Sequence, residues 1–167
     1  MNIFWLDYDI RTCAAYHCDK HVVKMIVEMS QIACTALHLN GIDRAYLPYR
    51  PCFAHHPSTQ WAAASYSNFQ HTLHLALALC DEYTHRYGKQ HKSRTVLVTC
   101  SKLALDVAWP SVPLTPFARA IKKDIYPDLL DLDKFPCSVE AYREYYRRDK
   151  RGFARWTNRP VPSWFQS

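Results

Sequence analysis

Glycine is nearly absent from this chain, which has three in 167 residues, at positions 41, 88 and 152. Barrels and sandwiches use glycine at their tight, positive-φ corners, so a chain this poor in it is steered away from them. Neither GxGxxG nor GxxxxGK[ST] can be written anywhere in it, which excludes nucleotide binding through a Rossmann or P-loop cradle. Two of the three glycines sit where a long helix would stop. Gly41 follows a helix-periodic stretch from about Ile10 to Leu39, with Asp9 as its N-cap. Gly88 follows a second one, from Pro57 as a first-turn proline to about Tyr87.

Ser93 caps a third helix over Arg94 to Asp106, although the β-branched Thr95, Val96, Val98 and Thr99 leave a short strand open. Five prolines between Val107 and Pro136 imply an ordered meander, with one helical turn near Phe117 to Lys123. A last helix starts after Ser138 as N-cap and runs to about Phe153 or Trp156. Its proline-extended tail returns Trp164 and Phe165 to the body. The expected architecture is mainly α: a single-domain helical bundle over residues 1–167, with two long N-terminal helices, a Pro-rich meander and a C-terminal basic helix.

The first residues, Met1 to Asp9, lack a basic n-region and turn acidic early, so no signal peptide is expected. Apolar runs fall short of the roughly 20 residues of a membrane span. The seven cysteines form no CxxC, which indicates neither a disulfide framework nor a zinc ribbon and points to a reducing cytoplasm. Net charge is +6. Five basic residues and no acid lie between Tyr83 and Lys102, and seven basic residues against three acids follow Ser138. Two cationic patches favour an anionic partner.

At roughly 100° per residue, Cys18, Val22, Met25, Ile26, Met29, Ala33 and Ala36 share one side of the first helix, and His17, Lys20, His21, Lys24 and Glu28 the other. Three readings of that polar stripe stand side by side. It is a solvated face with a Glu28–Lys24 pair. Alternatively, His17, His21 and Glu28 ligate a metal, against which Lys20 and Lys24 place two positive charges. Phosphate or pyrophosphate suits the stripe better than a metal: lysines hold charge, a histidine protonates a leaving oxygen and Glu28 takes a proton from a nucleophile. No cofactor or metal is expected.

Further pieces can complete such a site. His55 and His56 precede the second helix, whose free N–H groups favour an anion. Trp61 and Asn68 share a face of it with Ser65 and Thr72, able to stack on and read a base, or else to pack in the core. Arg86, Lys89, His91 and Lys92 form a Gly-punctuated cationic loop fit for phosphates, which compensation of the helix dipole explains in part. Arg143, Arg147, Arg151 and Arg155 recur every four residues beside Tyr142, Tyr145, Tyr146 and Trp156. That ridge suits a nucleic-acid backbone, with Tyr146 and Trp156 as stacking groups; surface pairs with Glu144 and Asp149 are the alternative.

The stretch Ala14 to Met25 (AAYHCDKHVVKM), His56-Pro57 with Trp61, Glu82-Tyr83 with Arg86 to Lys89 and His91 to Ser93, and the ending Tyr142-Arg143, Tyr145-Tyr146, Trp156, Arg159, Pro162 and Trp164-Phe165 resemble a family of small proteins from tailed bacteriophages and large DNA viruses. Such viruses hypermodify DNA bases, and one step joins an amino acid to a pyrophosphorylated hydroxymethyl-pyrimidine in DNA. The resemblance thus implies a DNA-base-modifying transferase in the host cytoplasm, with DNA and a small amine or amino acid as partners. Lys20, Lys24, Lys89 and Lys92 would hold the departing pyrophosphate, His17 or His21 would act as acid, and Glu28 as base. A metal-assisted hydrolase or glycosylase-like enzyme, and a non-catalytic DNA- or host-protein-binding module, remain as alternatives.

Overall fold

Both long periodic stretches form helix, and both are broken once by residues whose backbone bonds are satisfied from far along the chain. The computed structural model describes residues 1–166. In it the first stretch becomes α1 (Ile10–Tyr16) and α2 (Asp19–Leu39), separated by His17 and Cys18 at extended ψ values of 134° and 162°. The Asp19 N–H, orphaned at the start of α2, donates to the Arg155 carbonyl at 2.8 Å. Side-chain periodicity carries no trace of that partner, so the expected continuous helix is corrected to two.

The second stretch likewise divides into α3 (Pro57–Ala64) and α4 (Tyr66–Tyr87) at Ser65, whose φ and ψ are −153° and 158°. Ser65 Oγ caps α4 by accepting from the Asn68 N–H at 3.1 Å and donates to the Pro113 carbonyl at 2.8 Å. Carbonyls of Ser111 and Val112 accept from the Tyr66 and Ser67 N–H groups. The proline-rich meander thus satisfies the first turn of α4. At the other end Gly88 takes φ 64° and returns its N–H to Thr84, as its position after the pattern predicts.

Helix α5 (Arg94–Leu103) tightens into a 3₁₀ turn over Ala104–Asp106. It accommodates its β-branched residues partly because Thr95 and Thr99 turn their hydroxyls onto the Lys92 and Thr95 carbonyls. The meander's helical turn lies at Pro127–Leu130, later than expected. Residues 118–120 spend their backbone groups elsewhere: the Tyr142 hydroxyl lies 3.0 Å from the Ala118 carbonyl and accepts from the Ala120 N–H, and the Ala120 carbonyl accepts from Asn2 Nδ2.

Helix α6 spans Ser138–Asp149, with Cys137 rather than Ser138 at the cap position. Ser138 uses its hydroxyl on the Phe117 carbonyl instead. Because α6 ends at Asp149, Arg151 and Arg155 lie in the loop beyond it and the arginine ridge is cut in half. A short α7 (Ser163–Gln166) closes the tail, with Phe165 buried and the Trp164 ring against Tyr16 and Tyr146.

Helix α2 is the axis, packing on α3, α4 and α5. By length and composition it could cross a bilayer, but most of its apolar window is buried within the chain's own core. On its remaining side the N-terminal segment Asn2–Leu6, every residue buried, lies against α2 and under α6. Trp5 stacks on Phe117 at 4.1 Å and meets Trp61 edge-on. The cysteines are free thiols.

Candidate anion-binding pocket

The stripe on α2 is not a solvent face throughout, because the N-terminal segment and α6 cover part of it. His17 falls in the two-residue break, so it leaves the phase of the other four. It is completely buried: Nδ1 contacts the Cys13 carbonyl at 2.7 Å and Nε2 is enclosed without a partner. Burial pushes His17 down to about 4.

His21 stacks flat on Phe4, with ring centroids 4.6 Å apart, and its Nδ1 shares a hydrogen bond with the Tyr146 hydroxyl. Burial, aided by His17, Lys150 and Lys24, depresses it to about 2, so the ring is neutral at any ordinary pH. No second hydrogen bond of this ring forms within the described residues. In the tautomer whose Nδ1 accepts from the tyrosine, Nε2 carries the ring proton and offers it as a donor.

His21 lines a small pocket of about 300 Å³ together with Lys24, Glu28, Lys122, Tyr145 and Lys150. Four elements build it: α2, the N-terminal segment, the meander near Ala120 and the end of α6. Glu28 accepts from the Asn2 N–H at 2.9 Å, lies 3.5 Å from the Met1 amine and pairs with the exposed Lys24 ammonium at 3.1 Å. Asp149 bridges Lys122 at 3.0 Å and Lys150 at 2.6 Å. Burial opposes ionisation of Asp149, yet hydrogen bonds from Lys150 and Lys122 outweigh it and hold the carboxyl at about 2. The Lys150 ammonium also lies over the Tyr145 ring at 4.8 Å. Three lysines and an amine therefore face two carboxylates, a positive surplus at the mouth of a partly apolar cavity. Sequence reasoning missed Asn2, Lys122, Tyr145 and Lys150, which only the tertiary fold brings to α2.

The other expected site residues are dispersed. Lys20 is exposed, its ammonium 4.7 Å from the Phe153 ring centroid. Arg86 belongs to no cationic loop: its side chain is fully buried, donating to Glu82 at 2.6 Å, to Asp19 at 2.8 Å and to the Ala15 carbonyl at 2.9 Å. Lys89, His91 and Lys92 sit at the turn from α4 to α5 and do not line the pocket. His91 Nδ1 accepts from the Ser93 N–H. His56 caps α3 by accepting from the Ser58 N–H at 3.2 Å, which occupies the N-terminus expected to attract an anion.

Trp61 is core, between Trp5 and Phe117. Asn68 is wholly buried and satisfied: its amide donates to the Trp61 carbonyl and Thr115 hydroxyl, and its oxygen accepts from the Thr115 N–H. Tyr146 is buried as well. On α6, Arg143 binds Asp7 and the Leu6 carbonyl, and Arg147 binds Glu144 and the Trp164 carbonyl. Arg151, Arg155 and Trp156 line a different, larger cleft.

Among the described residues no three of His, Cys, Asp and Glu converge as metal ligands. No family model, no curated protein and no solved structure matches this chain.

Proposed function

We propose that this chain is a nucleic-acid-acting enzyme of the transferase type that holds a phosphate or pyrophosphate group in the pocket between α2 and α6. The observation that carries this reading is the convergence of Lys24, Lys122 and Lys150 on a cavity that also holds His21 and Glu28. An anion entering there displaces the Lys24–Glu28 and Lys122–Asp149 pairs, whose lysines are exposed and which are therefore weak. It gains ammonium contacts next to a neutral imidazole donor.

The resemblance to bacteriophage and large-DNA-virus proteins points to the reaction: an amine nitrogen attacks the methylene carbon of a pyrophosphorylated hydroxymethyl-pyrimidine in DNA. The C–N bond forms as the C–O bond breaks, the bonding pair leaves with pyrophosphate, and Glu28 takes the amine proton. His21 stabilises the leaving oxygens by hydrogen bonding rather than by proton transfer, because burial keeps it neutral. His17, enclosed away from the pocket, has no step. The setting is the cytoplasm of an infected cell.

The test is calorimetric titration of inorganic pyrophosphate into the protein, paired with mass spectrometry of nucleosides from DNA made with and without it. Pyrophosphate is expected to bind, with Lys24→Ala and Lys122→Ala each weakening it about tenfold, the loss of one charge-assisted hydrogen bond. A modified nucleoside is expected that disappears with Glu28→Gln. Absence of pyrophosphate binding leaves the lysines as a structural ion cluster and overturns the reading.

A further inference from the structure

A cleft of about 800 Å³ is lined by the segment that follows α6 and by α7. Ala154, Trp156, Val161 and Phe165 contribute its apolar wall, and Arg151 and Arg155 stand beside them. The two arginines differ from the two preceding them in the ridge. Arg143 and Arg147 are each tied to a carboxylate and a backbone carbonyl. Arg151 and Arg155 are exposed and have no carboxylate partner among the described residues. Arg155 donates only to the adjacent Ala154 carbonyl, at 2.7 Å, and Arg151 makes only a ring contact, 5.9 Å from the Phe165 centroid.

The wall itself is held in place. Trp156 Nε1 donates to the Tyr16 carbonyl at 2.9 Å, Trp156 and Phe165 meet edge-on at 4.7 Å, and Thr157 next to them donates to Asp19. A preformed apolar concavity with two uncompensated guanidinium groups asks for a ligand that is flat and apolar in one part and anionic in another. A small inorganic anion leaves the wall unused. Duplex nucleic acid keeps its bases stacked and presents none to a concave wall, whereas a single strand can place a base inside and its phosphates on the arginines.

We infer that this cleft binds a nucleotide unit of single-stranded nucleic acid, the base over Val161, the exposed member of the wall that Trp156 and Phe165 support, and the flanking phosphates on Arg151 and Arg155. The cleft shares no lining residue with the pocket on α2, so the two sites stand or fall separately.

The experiment is fluorescence anisotropy with a labelled oligothymidylate of about a dozen residues, on the full chain, at several salt concentrations. Replacing both arginines (Arg151→Ala with Arg155→Ala) should weaken binding at least about tenfold and flatten the log–log salt slope by about 1.4, the share of two single-strand phosphates. Val161→Asp, a change at an exposed wall position, should weaken it comparably by adding negative charge. Both variants should keep the parent's circular dichroism spectrum and urea midpoint, which shows that they are folded whatever the pocket on α2 binds. Equal affinity of parent and double variant overturns the proposal. So does tighter binding of a duplex of the same length, or of a polyglutamate peptide, with the same dependence on the two arginines.

Discussion

Two charged clusters meet on α2, one closed and one open, and they behave oppositely although their residues look alike in the sequence. In the closed cluster Arg86 is shared by Glu82 and Asp19, Glu82 also takes Arg159, and Asp19 also takes Thr157. Hydrogen bonds and charge from Arg159 and Arg86 hold the Glu82 carboxyl below its usual range despite burial. In the open cluster Glu28 and Asp149 are outnumbered by Lys24, Lys122, Lys150 and the Met1 amine, and the Lys24 side chain is 69% exposed. A cation whose donors are all spent inside the fold is structural. One that meets a shared carboxylate at a cavity mouth is available to a ligand.

Arg86 separates the two clusters most sharply. Its removal leaves Asp19 with Thr157 alone and takes one of the two arginines from the buried Glu82, so Arg86→Ala should cost about 4 kcal/mol in chemical denaturation, in the range for halving a buried ion pair. A loss below about 1 kcal/mol would place Arg86 with the open group.

Acid should act next. His17 and His21 are held neutral, at about 4 and about 2, by burial, while in the unfolded chain they protonate near 6.5. The unfolded state therefore binds more protons below that value. Stability is complete above it and falls with pH, by about 3 kcal/mol for the pair between pH 6.5 and 5. Replacing His21 by Phe should remove about half of that slope, measured by urea midpoints across the range.

Tyr146→Phe leaves His21 Nδ1 without its buried partner, removes the hydroxyl's contact with Cys18, and should cost about 1–2 kcal/mol. Smallest of all, Lys24→Ala should change stability by less than about 0.5 kcal/mol, as expected for an exposed i,i+4 pair, while reducing pyrophosphate binding. A variant that destabilised strongly there would move the open cluster into the closed class.

Local signals carried much of the architecture. Asp9 caps α1 by accepting from the Thr12 N–H, Pro57 begins α3, and Gly88 ends α4. What local reading missed were the breaks at His17–Cys18 and Ser65, because their bonding partners, Arg155 and Ser111 to Pro113, come from distant segments. The site shows the same division. Lys24 and Glu28 are one turn apart on α2 and were legible as a pair, and His21 joins them by phase. Lys122, Lys150 and Asn2 were not legible, since no periodicity links an N-terminal segment, a meander and the end of α6. Arg86 was misread for the converse reason: a basic residue in the last turn of a helix resembles its exposed neighbours until Asp19 and Glu82 are seen around it.

The carbonyl of Arg155 that receives the Asp19 N–H has a bearing on how the chain comes into being. When the ribosome has released only the first half, the break between α1 and α2 has neither that acceptor nor Thr157 to hold Asp19. The bent form at His17 and Cys18 thus depends on partners that are synthesised far later than the residues they hold. Protection of the Asp19 amide from hydrogen exchange should therefore appear late, together with that of α6.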